Sequence, residues 1–240
     1  MIGFFFPKIS FGAITPGTGA SSTFSSTDVS ENIRYNVAAG SNIVLFVGVI
    51  SAGQAATASY NGVPMTNLFS RTDGATADYI SGFILVNPTT GSNTTTISYI
   101  TNNGSASGVW IQSWYGVGQG NSTGTTWRRP ATNNDGGSKS ANAIVTVASS
   151  TSGDTVIDVF QDFNGVSSTA SSSQTVQWSF NKLFGGAMSG GTSYEAATGA
   201  TTMQWTLSTS TFWAIGAVSL IPATVSTGPV GRIVGRGISR

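Results

Sequence analysis

The sequence predicts an all-β chain, an antiparallel β-sandwich or jelly roll, and three observations carry that prediction. Charged residues make up only 8% of 240 residues, against about 25% in an ordinary soluble domain, so the helix-favouring charged side chains are scarce. The polar load falls on 35 Ser, 32 Thr and 31 Gly, and Thr with the β-branched and aromatic residues suits a pleated sheet. Turn residues recur roughly every ten positions with no helical period between them, the spacing of many short strands.

Taken in order, residues 42–52 are apolar at successive positions, the pattern of a strand covered on both faces, and are expected to be central. Asn61-Gly62 joins segments 57–60 and 63–69 as a two-residue hairpin link, with Pro64 keeping its strand near an edge. Strands are expected at 79–87, 93–100 and 107–117, then a Gly, Asn, Ser and Thr-rich stretch from 118 to 142. They resume at 143–149, 154–161, 174–181, 202–208 and 212–221. Val176, Trp178 and Phe180 alternate with polar neighbours, as do Met203, Trp205 and Leu207, so each of these strands should bury one face. No long repeat is visible, and the body is read as one domain, residues 21–221.

Two extensions flank it. The N-terminal arm, residues 1–20, places Phe4, Phe5, Phe6, Ile9 and Phe11 ahead of a Gly, Ser and Thr-rich link. Left free it would be an aggregation hazard, so it is expected to pair with a neighbouring subunit by strand addition, the alternative being an edge strand of its own sandwich. The tail, residues 222–240, carries Arg232, Arg236 and Arg240 with no balancing acid, and its glycines disfavour helix. An extended basic strand docking on a partner is expected there, against the alternative of a solvated tail.

Much chemistry is excluded outright. With no His and no Cys there is no imidazole base, thiolate, disulfide or Cys/His metal site. Gly120-Asn121-Ser122-Thr123-Gly124 matches a nucleophile-elbow pattern but lacks its histidine, and nothing pairs any two of the nine carboxylates. No catalytic residue, cofactor or metal is expected. Residues 1–195 hold seven basic and nine acidic side chains, and Arg128-Arg129 is the only basic cluster outside the tail, which argues against direct nucleic-acid binding. The start lacks the features of a signal peptide, and the longest dense apolar run, Ile43 to Ile50, falls well short of the roughly 20 residues of a membrane-crossing helix.

One aromatic cluster remains. Trp110, Trp114, Tyr115 and Trp127 lie at a strand and the start of the long loop, where exposed rings could stack on sugar faces. The competing assignment, preferred here, is packing under the loop.

The order Ile43-Val-Leu-Phe-Val-Gly-Val-Ile, Ala58-Ser-Tyr60-Asn61-Gly62-Val63-Pro64-Met65-Thr66, Phe83-Ile-Leu-Val-Asn87-Pro88 and Trp114-Tyr115-Gly116-Val117-Gly118-Gln119 resembles a β-sandwich family. That family is frequent in virion proteins of tailed bacteriophages and in some bacterial surface proteins. Met65 stands where Leu is usual, and the likeness spans residues 35–221. The resemblance implies a non-enzymatic virion structural protein, most like a capsid cement or decoration protein assembled in the host cytoplasm. Its implied partners are the major capsid protein or other virion proteins and further copies of itself, as a trimer or a dimer, with no membrane. The rival implication is a tail-fibre or carbohydrate- or receptor-binding module.

Overall fold

Four segments, 44–51, 107–115, 155–163 and 213–220, are buried at nearly every position. A strand buried on both faces needs a layer on each side, so these four force more than two layers. The computed structural model describes residues 9–24, 29–53, 55–74, 78–100, 107–183 and 188–226, and all the regular structure among them is β-strand.

The first half contains β1 (Ile9–Phe11), β2 (Thr15–Pro16), β3 (Ala20–Phe24), β4 (Ser30–Val37), β5 (Val44–Ser51) and β6 (Ala55–Tyr60). It continues with β7 (Val63–Pro64), β8 (Thr66–Thr72), β9 (Tyr79–Val86), β10 (Gly91–Tyr99) and β11 (Ser107–Tyr115). The second half contains β12 (Ala131–Asn134), β13 (Ser140–Val147), β14 (Thr155–Phe163), β15 (Ser168–Ala170) and β16 (Thr175–Leu183). It ends with β17 (Met188–Ala196), β18 (Thr201–Thr211), β19 (Trp213–Leu220) and β20 (Thr224–Ser226).

β1 and β20 pair as a two-stranded ribbon, and the other eighteen strands make four stacked sheets, all with antiparallel pairing. The first outer sheet runs β4-β10-β6-β7 and the first inner sheet β11-β5-β9-β8, with β2 and β3 on the free side of β11. The second inner sheet runs β12-β19-β14-β17-β16 and the second outer sheet β13-β18-β15. Three cores fill the spaces between them. On β5, Leu45, Val47 and Val49 face the first core while Val44, Phe46 and Ile50 face the middle one. On β14, Ile157 and Val159 face the middle core while Val156 and Phe160 face the third.

The middle core is a seam between two sandwiches, and glycines set its spacing. A Cβ on Gly48 would lie 2.8 Å from Val159 Cγ2, one on Gly108 would lie 2.6 Å from the Trp178 ring, and one on Gly216 would lie 2.5 Å from the Phe69 ring. Each glycine thus receives a side chain from the opposite sandwich. Trp114 and Tyr194 also meet edge to face across the seam, with centroids 5.2 Å apart.

The halves repeat one topology. The order β3-β11-β5-β9-β8 matches β12-β19-β14-β17-β16, and β4-β10-β6 matches β13-β18-β15. The register repeats as well. Pro16 lies opposite Trp114 as Trp127 lies opposite Leu220, and Ala20 lies opposite Ile111 as Ala131 lies opposite Ala217. Val37 faces Gly91 as Val147 faces Thr201, and Val44 sits between Trp114 and Val86 as Thr155 sits between Leu220 and Ala196.

The all-β antiparallel sandwich is what the sequence predicts, but the body is two sandwiches back to back, with a repeat that the sequence hides. Residues 44–51 are central as expected, and Asn61 and Gly62 have φ of 51° and 75° in a tight hairpin whose Pro64 lies in an edge strand. Five strands of the body were not foreseen, β3, β4, β12, β15 and β17, the last because Gly190-Gly191 reads as loop; a Cβ on Gly191 would meet the Trp205 ring at 2.7 Å. On β16 the expected alternation fails, since a register shift between Val176 and Trp178 leaves Val176 44% exposed.

Gly216→Val should overpack the seam against Phe69 and cost about 1–3 kcal/mol in urea unfolding. Phe69→Ala in the same chain should recover part of that loss; strictly additive losses would show that the two residues do not share the seam.

Candidate functional site

The carboxylates come first, because the chain has no His and no Cys. No three Asp or Glu among the described residues are placed to hold a metal. Asp158 is fully buried on β14 and accepts hydrogen bonds from Ser193 N at 2.6 Å, Ser193 Oγ at 2.9 Å, Trp205 Nε1 at 2.8 Å and Gln174 Nε2 at 3.2 Å. Burial outweighs these donors and pushes its pKa up to about 7. Asp162, on the same face of that strand, accepts from Val166 N at 3.0 Å, its other oxygen has no partner, and burial again raises it to about 7. Burial also raises Asp135 above its ordinary value. Glu31 accepts from Tyr99 Oη at 2.8 Å and Ser107 Oγ at 2.6 Å. Asp154 pairs with Arg128 Nε at 2.9 Å and accepts from Ser219 Oγ at 3.0 Å. These groups pin strands to loops, and none lines either of the cavities described below.

The aromatic cluster is packing. Trp110, Trp114 and Trp127 are 1%, 0% and 6% exposed, so they offer no stacking platform for a sugar. β11 is an inner strand, and its Trp face looks into the seam while Val109 and Ile111 look into the first core. Tyr115 alone is half-buried.

The first and last described strands are tied to one another. β1 pairs with β20, Ile9 opposite Ser226 and Phe11 opposite Thr224, and Gly12 N donates to Ala223 O at 3.3 Å. Ala223 N donates to Gly116 O at 2.7 Å and Val117 bridges Pro222, so this ribbon is anchored where β11 and β19 finish. Of the expected arm, residues 15–16 and 20 lie along β11 of the same chain, and residues 21–24 of the body continue that pairing. Phe4, Phe5, Phe6, Arg232, Arg236 and Arg240 lie outside the described residues, as do the side chains of Ile9 and Phe11.

Two open cavities lie among the described residues, and of the candidate site residues the sequence singled out only Tyr115 lines one of them. The first, about 320 Å³, is lined by Thr18, Gly19, Ala20, Arg34, Tyr35, Asn36, Ala38, Ser113 and Tyr115. Its floor is a chain of hydroxyls: Ser113 N donates to Tyr35 Oη at 2.8 Å, Tyr35 Oη donates to Thr18 O at 2.7 Å, and Ser113 Oγ donates to Tyr115 Oη at 3.2 Å. Burial raises the Tyr35 pKa, so this phenol stays protonated near neutral pH. The second cavity, about 440 Å³, is lined by Arg129, Pro130, Ala131, Thr146, Ala148 and Ser149.

Asp158 and Asp162 set a pH dependence whose sign follows from proton counts. From the ordinary carboxylate value of 3.8 up to about 7 the folded chain binds more protons than the unfolded one, so stability falls as pH rises through that window. Asp162→Asn should gain on the order of 1 kcal/mol over the unsubstituted chain at about pH 8 and converge with it near pH 4 in urea titrations; a pH-independent difference would contradict this. Trp114→Ala should cost about 3–5 kcal/mol as a core cavity, and a destabilisation below about 1 kcal/mol would contradict its place in the seam.

Compared with protein-family models, curated proteins and solved structures, the chain matches none. The resemblance noted in the sequence is supported at the level of the antiparallel sandwich.

Proposed function

We propose that this chain is a non-enzymatic virion structural protein, a capsid cement or decoration protein that reinforces a shell by bridging neighbouring major capsid subunits. The observation that carries the reading is the β1–β20 ribbon. Because Ile9 faces Ser226, the segment bearing Phe4, Phe5 and Phe6 and the segment bearing Arg232, Arg236 and Arg240 join the body at one point. An apolar segment and a cationic one whose described ends pair in one ribbon suit a junction where apolar and acidic or carbonyl-rich surfaces meet.

The body supports this by being stiff and chemically quiet. Four layers hold the ribbon's base in a fixed direction, so little ordering is required on docking. The copies act as a homo-oligomer, a trimer in preference to a dimer, so that weak contacts are multiplied by symmetry. The rival reading, a tail-fibre or receptor-binding module, draws support from the two open cavities rather than from the tryptophans.

Removing residues 1–8 together with 227–240 should leave the sandwiches folded, since no described strand is lost. Occupancy on purified particles should then fall by about tenfold or more, the loss of one modest anchor. Unchanged occupancy would refute the reading, and mass spectrometry finding a handful of copies per particle rather than hundreds would favour the fibre.

A further inference from the structure

The two cavities lie at corresponding places in the repeat. By the register of the repeat, Thr18, Gly19 and Ala20 correspond to Arg129, Pro130 and Ala131, because Ala20 pairs with Ile111 as Ala131 pairs with Ala217. Asn36 and Ala38 correspond to Thr146 and Ala148, because Val37 faces Gly91 as Val147 faces Thr201. Each cavity is therefore walled by the approach to the outermost inner-sheet strand and by the end of an outer-sheet edge strand.

A second observation singles these places out. Five basic side chains fall among those the structure describes. Arg128 is paired with Asp154, Arg71 Nη2 donates to Asn134 Oδ1 at 3.1 Å, and Lys139 sits 5.2 Å from the centre of the Phe212 ring. Arg34 and Arg129 have no side-chain partner among the described residues, and each lines one cavity. They do not occupy equivalent positions, Arg34 coming from β4 and Arg129 from the approach to β12. The two sites therefore share a charge through different residues.

We propose that both cavities bind the carboxylate-bearing residue of an acidic saccharide, one per sandwich, making the chain bivalent. The guanidinium fork matches a carboxylate. The other polar side chains are neutral hydroxyls and an amide, from Thr18, Tyr35, Asn36, Ser113 and Tyr115 in the first site and Thr146 and Ser149 in the second, which suits sugar hydroxyls. One cation per site fits a singly charged carboxylate better than a phosphate dianion. The volumes lie at the low end of small-molecule sites, the size of one or two sugar rings. An acidic peptide strand fits less well, because Asn133 Nδ2 already donates to Ile144 O on β13 at 2.8 Å and blocks strand addition at the second site. This inference is independent of the decoration reading and stands or falls separately.

The test is isothermal titration of the full chain with a galacturonate trisaccharide, sialyllactose, a neutral trisaccharide and a glutamate hexapeptide. At least one of the two acidic sugars should bind at two per chain, and which one does identifies the source of the carboxylate. The neutral sugar should bind about tenfold or more weakly, the loss of one charged hydrogen-bonded contact. Arg34→Gln and Arg129→Gln should each leave one site, the double variant none, all with unchanged thermal midpoints because neither side chain is paired. Arg34→Lys should weaken its site without abolishing it. Binding that survives in the double variant, equal affinity for the neutral sugar, tighter binding of the peptide, or no binding of either acidic sugar would each overturn the proposal.

Discussion

The seam between the two inner sheets is the constraint on which the rest of the molecule depends. Strands β5, β11, β14 and β19 are buried on both faces, so neither sandwich could present its inner sheet to water without exposing a large apolar area. The sheets reach contact only because Gly48, Gly108 and Gly216 leave room for Val159, Trp178 and Phe69. The exchange runs both ways, with a ring from each sandwich seated on a glycine of the other. That reciprocity is the intramolecular analogue of an isologous dimer interface.

From the seam follows the placing of the chain ends. The connection between the halves, residues 116–130, has to cross the end of both inner sheets, and it does so by pairing: Gly118 N donates to Ile221 O at 2.8 Å, and Arg128 N to Ser219 O at 2.8 Å. Trp127 enters the core there and Arg128 is held by the buried Asp154. The β1–β20 ribbon grows from this crossing. The point at which the N- and C-terminal segments meet the body is thus set by this crossing.

The buried polar groups fix which strands meet and in what register. Asp158 ties β14, β17 and β18 with a loop through four donors, and its carboxyl is still uncomfortable enough to titrate near 7. Such a group does little for net stability but disfavours any other register of those strands, since a one-residue slip would bury it without donors. The reachable polar groups lie elsewhere, in the two hydroxyl-lined cavities, each with an arginine that has no side-chain partner among the described residues.

The sequence by itself determined the all-β class, the central strand at 44–51, the Asn61-Gly62 hairpin and the absence of imidazole and thiol chemistry. Each follows from local composition, period or turn chemistry. Tertiary structure alone decided that there are two sandwiches, because equivalent strands share burial and register but hardly any residues, as Val44–Ser51 against Thr155–Phe163 shows. It also revealed β17, whose glycines are apolar space for Trp205 and Ile50 rather than loop, and it put Trp110 and Trp114 in the core by covering a face that strand periodicity left unassigned. The cavities were illegible for the same reason. Thr18 and Asn36, or Arg129 and Thr146, become neighbours only when sheets stack, and no spacing along the chain encodes which face of a strand another sheet will cover.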